Sequence, residues 1–170
     1  YKKDIDKGII TDDEVLELLE IMKCKVMKIN RVSGKANRAK NAGMAKWYNW
    51  TLGGVKEDGT DATNELTYLL LEASKDILLP HFTITLRVHK NTPDVLMRKA
   101  LEVVRTGIGM PAFVGDDSYI NFFTDYGMKL TDARDYCMTG CVDGNVPARS
   151  RTQVVVFFII SQAFDIFMHN

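Results

Sequence analysis

Phe82, Ile84, Leu86 and Val88 alternate with His81, Thr83, Thr85 and Arg87, and the run gives way at Thr92-Pro93-Asp94. Period-two alternation predicts a half-buried strand over 82–88, because successive side chains leave a strand on opposite faces. Threonine followed by proline predicts a cap and a helix start, since proline's fixed φ suits the first helical position, and the helical pattern continues to Gly107. The rhythm then repeats. Met110 to Val114 reads as a short apolar strand ended by Gly115-Asp116-Asp117, and Ser118 to Tyr126 as a helix closed at Gly127. Residues 133–139 read as a third strand leading straight into Gly140-Cys141-Val142-Asp143-Gly144. Strands alternating with helices restrict the chain to the α/β class, with a mostly parallel sheet or barrel. In such folds ligands sit beyond the carboxyl ends of the strands.

Upstream, Thr11 with Glu14 forms a capping box. Val15, Leu18, Leu19, Met22, Val26 and Ile29 then recur at helical spacing, predicting an amphipathic helix over 11–30 with one face on a core. Residues 31–60 are rich in Gly, Asn and Lys and predict a loop with a short strand near 47–52. Trp47, Tyr48 and Trp50 beside that strand are expected in the core or at a subunit contact. From Asp61 to Asp76 helical spacing returns, with Leu66, Leu69, Leu70 and Ala73 on one face. No repeat or interdomain linker interrupts the chain, so residues 1–170 are expected to form a single partial domain. The chain starts without Met and stops at His169-Asn170 directly after an apolar stretch, which reads as a piece of something longer.

Lys plus Arg number 22 and so do Asp plus Glu, so no net charge draws the chain toward nucleic acid or a membrane surface. The apolar run Val154 to Ile160 is too short to span a bilayer, and the charged Tyr1-Lys2-Lys3 start lacks an apolar signal core. A cytoplasmic protein is expected, with neither nucleic acid nor membrane as partner. Three cysteines, Cys24, Cys137 and Cys141, make no disulfide framework, and no set of ligands with zinc spacing accompanies them. No metal is therefore expected, and Cys24 and Cys137 are expected to be buried structural residues.

Cys141 is the reaction-centre candidate. It lies beside Gly140 and shortly before Gly144, and glycine adds no side-chain bulk against an approaching ligand. Asp143 stands two residues on, so in an extended segment the thiol and the carboxylate point the same way. One group can then exchange a hydrogen atom or attack as a nucleophile while the other moves a proton. A protease-type thiol would need a histidine from His81, His89 or His169, none of which carries a family signature near Cys141. On the residues alone, a structural turn and a catalytic loop both remain open.

Four blocks in order resemble the glycyl radical enzymes of the pyruvate formate-lyase superfamily. They are Asp61-Ala62-Thr63-Asn64-Glu65-Leu66-Thr67-Tyr68-Leu69, Leu86-Arg87-Val88-His89-Lys90-Asn91-Thr92-Pro93, Gly109-Met110-Pro111-Ala112-Phe113, and Asp132-Ala133-Arg134-Asp135-Tyr136 running into Gly140-Cys141-Val142-Asp143. The resemblance implies part of a ten-stranded α/β barrel with the cysteine on an inner finger loop. It implies a glycyl radical on a residue outside this chain, with no cofactor bound in the segment itself. A radical S-adenosylmethionine activating enzyme, a small-molecule substrate and a homo-oligomeric assembly complete the expectation. Cys141 would be the thiyl residue and Asp143 the proton-transfer group, with Gly140 and Gly144 as spacers that admit substrate.

Departures from the family pattern narrow the subgroup. Gly140 stands where pyruvate formate-lyase proper has a second cysteine, which argues against acetyl transfer. The Gly-Cys-Val-acid form is similar to the decarboxylating and eliminating branches, although Asp143 is one methylene shorter than their usual glutamate. Val142 and the run Val154-Val155-Val156-Phe157-Phe158, with Val155 and Phe157 as candidate lining residues, favour a substrate with an apolar body such as an arylacetate. An apolar wall leaves a buried hydroxyl unpaired, at about 1–3 kcal/mol. The expected activity is that of a radical lyase, cleaving C–C by decarboxylation or C–O or C–N by elimination. The alternative is a non-catalytic homologue or scaffold chain.

Overall fold

Thr11 accepts a hydrogen bond from the Glu14 amide while the Glu14 carboxylate accepts from the Thr11 amide, closing the predicted capping box at the start of a long helix. The computed structural model describes residues 1–29, 34–35, 48–79, 82–140, 143–150 and 160–169. Its elements in chain order are α1 (Lys2–Asp6), α2 (Asp12–Lys28), β1 (Asn49–Gly53), α3 (Glu65–Asp76), β2 (Thr83–Val88), α4 (Asp94–Arg105), β3 (Ala112–Gly115), α5 (Asp116–Asp125), α6 (Leu130–Arg134), β4 (Cys137–Thr139), β5 (Asp143–Asn145) and α7 (Ile160–His169). Trp47, His81, Cys141, Val142, Val155 and Phe157 lie outside the described residues, as do the loop reading over 36–47 and most of the apolar run before Ile160.

β1, β2 and β3 form a parallel sheet in that order, joined through α3 and α4. This is the α/β arrangement the alternation implies. α3 and α4 pack together, and α2 packs on α3. Leu52, Ile84 and Leu86 of the sheet meet Leu71, Leu96, Ala100 and Val103 of the helices in one buried cluster. Each fully buried aliphatic side chain there contributes about 1.5–3 kcal/mol. Trp50 stacks on Phe82 with ring centroids 4.0 Å apart, placing that aromatic beside the sheet.

Four local readings change. β2 is not half-buried, because Ile84, Thr85, Leu86 and Arg87 are all buried and the strand is covered on both faces, as a central parallel strand is. α3 begins at Glu65 rather than Asp61, since Asn64 accepts from the Thr67 amide and caps the helix there. Its buried face carries Thr67, Leu71 and Ser74, so small polar residues hid its phase. Thr92 does not cap α4. Its hydroxyl accepts from the His89 amide, and Pro93 itself holds the N-cap position. On α2, Val15, Lys23 and Val26 are buried while Leu18, Met22 and Ile29 of the predicted stripe are exposed.

The largest correction concerns residues 133–139. They do not add a strand to the parallel sheet. A short helix, α6, ends at Arg134, and β4 then pairs antiparallel with β5, Cys137 opposite Asn145, Met138 opposite Gly144 and Thr139 opposite Asp143. Cys141 thus falls in sequence between the two strands of a small antiparallel pair, β4 ending at Thr139 and β5 beginning at Asp143. Among the described residues no helix is long and apolar enough to cross a membrane.

Candidate functional site

The hairpin leans on the opposite side of the sheet from the helices, and residues that alternate with the apolar core positions hold it there. On β1 these are Asn49 and Thr51, and on β2 they are Thr85 and Arg87. The Met138 amide donates to Thr51 Oγ1 at 2.8 Å, and Asn49 Nδ2 donates to the Gly140 carbonyl at 3.4 Å. Asn49 Nδ2 also donates to Thr85 Oγ1 at 2.9 Å.

Beneath the hairpin entrance lies a buried polar network. Arg87 Nε and Nη2 donate to the two Asp116 oxygens at 2.8 and 3.1 Å, while Nη1 and Nη2 donate to the carbonyls of Tyr136 and Arg134 at 2.8 and 2.9 Å. The Tyr136 hydroxyl donates to Asp116 Oδ1 at 2.7 Å, and the Arg87 guanidinium carbon stands 3.8 Å from the centre of the Tyr136 ring. Burial, reinforced by the bond to Asp116, pushes the Tyr136 hydroxyl well above its ordinary range and keeps it a donor, although Arg87 pulls the other way. A bidentate arginine–carboxylate pair with further donors on carbonyls is the arrangement in which a buried charge is tolerated.

Two glycines make room for this arginine. Gly53 and Gly54 sit at φ 70° and 79°, and a Cβ on Gly54 would stand 2.5 Å from the Arg87 guanidinium. The pair reads in sequence as a turn signal, and in the structure it is also the bed of Arg87.

The expected site residues are placed as follows. Gly140, at φ 60°, and the exposed Asp143 are brought together at the loop, with Asp143 Oδ2 3.9 Å from where a Gly140 Cβ would lie. A Cβ on Gly144 would meet the Tyr119 ring at 2.7 Å, which gives that glycine a packing reason of its own. Cys137 is partly buried. Burial pushes its thiol up and Asp135 adds to the effect against an opposing Arg87, so it stays protonated and inert. Cys24, expected to be buried, is exposed on the outer side of α2. His89 is tied in place by Nε2 at 3.0 Å from Asp61 Oδ1 and Nδ1 at 3.3 Å from the Asn91 amide. That amide can only donate, so Nδ1 accepts and Nε2 carries the proton toward Asp61.

Arg87, Asp116, Asn49 and Thr51 were not singled out by the sequence. Arg87 sits at an alternating position that reads as solvent-facing, and Asp116 reads as part of a turn. The available signal was an arginine inside an otherwise apolar and β-branched run, followed two residues after the next strand's Val114 by an acid.

A model of the family described as Pyruvate formate lyase-like matches residues 1–170. The isethionate sulfite-lyase of Oleidesulfovibrio alaskensis is 30% identical over 172 residues, taking in 100% of this chain and 21% of that protein. The 4-hydroxyphenylacetate decarboxylase glycyl radical subunit of Clostridioides difficile is 35% identical over 150 residues, covering 84% of this chain and 16% of the subunit. A solved structure concerned with 1,2-propanediol dehydration in Roseburia inulinivorans superposes with a TM-score of 0.82 at 33% identity, over 86% of this chain and 18% of that one. The chain thus spans about a fifth of the length of the curated relatives it matches.

Proposed function

The chain belongs to the pyruvate formate lyase-like family and has the mixed α/β fold of part of a glycyl radical enzyme barrel. From that premise we propose that the protein is a radical lyase with Cys141 as its hydrogen-abstracting thiol and Asp143 as its proton-transfer group. It cleaves a C–C bond by decarboxylation, as of an arylacetate, or a C–O or C–N bond by elimination. The observation that carries the reading is the docking of the β4–β5 hairpin on the polar side of the sheet. A two-point attachment at Met138 and Gly140, with a buried arginine bonded to the Tyr136 carbonyl just before β4, holds the strand that leads to Cys141, in a chain matched to the family along its whole length.

The glycyl radical, borne by a residue outside this chain and installed by a radical S-adenosylmethionine activating enzyme, supplies the hydrogen-atom acceptor for the Cys141 thiol. The described residues suit such a neighbour. Gly140 adds no side chain on the approach to the loop, and Asp143 is exposed beside it. Cys141 takes hydrogen from the substrate, and Asp143 moves the proton that bond cleavage requires. The apolar run around Val155 and Phe157, with Val142 in the loop, supports an apolar substrate body. We place the protein in the cytoplasm as a homo-oligomer, with residues 1–170 one partial domain of it.

The test is turnover of the activated full-length protein on an arylacetate, a 1,2-diol and isethionate, following carbon dioxide, aldehyde and sulfite. Cys141→Ser is expected to abolish turnover of whichever substrate is used, and retained activity refutes the assignment. Asp143→Asn is expected to raise the barrier by about 2–3 kcal/mol, using 1.36 kcal/mol per tenfold in rate. An unchanged rate removes its proton role.

A further inference from the structure

Asn49 and Thr51 lie two apart on β1, and the groups they bind, the Met138 amide and the Gly140 carbonyl, lie two apart on and just beyond β4. This match has a geometric origin. Among the described residues β4 pairs with β5 along one edge only, so its other edge presents amide and carbonyl groups that no described strand pairs with. Side chains two apart on an extended strand share a face and are spaced by about 6.6 Å, the same interval at which an edge repeats its outward groups. Two β1 side chains thus bond that edge as a neighbouring strand would.

The donors and acceptors leave little freedom. Thr51 Oγ1 accepts from Met138 and donates to Asn49 Oδ1 at 3.5 Å, while Asn49 Nδ2 donates to both Gly140 O and Thr85 Oγ1. Among the described residues the carboxamide meets Thr51, Thr85 and Gly140, and Gly140, the residue before Cys141, is bonded to its donor end. A slip of the hairpin by one residue along β1 would offer the wrong edge groups and break both bonds.

We propose that Asn49 and Thr51 are positioning residues that fix where β4 and Gly140, the residue before Cys141, sit against the sheet. The proposal rests on the reading of Cys141 as the reactive thiol. It assigns the two side chains no contact with substrate.

Asn49→Asp keeps the shape but replaces the two amide donors with an acceptor facing the Gly140 carbonyl. Thr51→Val keeps the shape and removes the acceptor for Met138, whereas Thr51→Ser keeps it. In the activated full-length protein, Asn49→Asp is expected to lower kcat by about 100-fold, the scale of a misplacement near 1 Å, with KM little changed. Thr51→Val is expected to lower it by about 10-fold and Thr51→Ser to restore it.

The second readout needs no activation. Iodoacetamide alkylation of Cys141 in the full-length protein, followed by peptide mass spectrometry, is expected to change severalfold in Asn49→Asp and Thr51→Val. It should stay at the wild-type rate in Thr51→Ser and in the core control Ile84→Val. The proposal is overturned if Asn49→Asp and Thr51→Val lower the melting temperature while kcat and alkylation both match the wild type. Should Asn49→Asp fail to fold, the Thr51 pair decides by the same criterion. Should Cys141→Ser retain turnover, the lyase reading falls, and alkylation still decides the position of the loop.

Discussion

Two buried cations are treated in opposite ways on the two sides of this sheet. On the hairpin side, Arg87 is 6% exposed and donates through Nε, Nη1 and Nη2 to a carboxylate and two carbonyls. On the helix side, Lys23 of α2 is 0% exposed, and its amine has no hydrogen-bond partner among the described residues. Burial pulls the Lys23 amine down to about 8, with Cys24 opposing weakly. The difference separates two kinds of burial. One cation is enclosed with polar groups arranged to receive it, and the other is enclosed without them among the described residues.

The strongest way to break the contrast is Asp116→Asn, which keeps volume but removes the charge opposite Arg87. We expect a loss of about 3–5 kcal/mol, read from denaturant or thermal unfolding of the full-length protein, because the guanidinium stays buried without its counter-charge. A loss below about 1 kcal/mol would mean the arginine finds water or another partner.

Gly54→Ala tests the bed of the same arginine. The new Cβ would stand 2.5 Å from the guanidinium at a φ of 79°, so we expect about 2–3 kcal/mol from displaced side chain and strained backbone together. Wild-type stability would show that Arg87 relaxes away without losing its bonds.

Lys23→Met carries the opposite sign. Removing an amine that burial holds down should stabilise the protein near neutral pH by about 1–2 kcal/mol. The pH dependence follows from the direction of the shift. The folded lysine loses its proton near 8 and the unfolded one near 10.5, so between those values the unfolded chain binds more protons and wild-type stability rises with pH. The advantage of Lys23→Met should therefore shrink as pH rises from about 8 toward 10. An advantage independent of pH would show that the amine is not what burial penalises.

Sequence patterns were legible where one face of an element is apolar and the other polar. Thr11 and Glu14 marked the start of α2 because a capping box is local chemistry, and β2 was found because its residues are β-branched and alternate. The same alternation misled about burial, since Thr85 and Arg87 look solvent-facing by type but face the hairpin. β4 and β5 have three residues each, too short for any period to show, and β4 meets Thr51 and Asn49 from far away in the chain. Cys141 and Asp143 are candidates on sequence grounds, because glycines and an acid stand close together there. Asn49, Thr51, Arg87 and Asp116 give no such local sign, because their contacts with residues 134–140 arise only when the sheet forms.

The attachment of the hairpin also bears on the order in which the molecule assembles. Thr51 reaches Met138 across 87 positions and Asn49 reaches Gly140 across 91, whereas β1 and β2 are joined through a single intervening helix. Long closures cost more chain entropy and form slowly, and a nascent chain completes its earlier segments first. The three parallel strands and their helices are then in place before the hairpin seats against them. Within these residues the seating of Met138 and Gly140 on β1 is a late contact, and a chain arrested before it would carry the parallel sheet with β4 not yet seated.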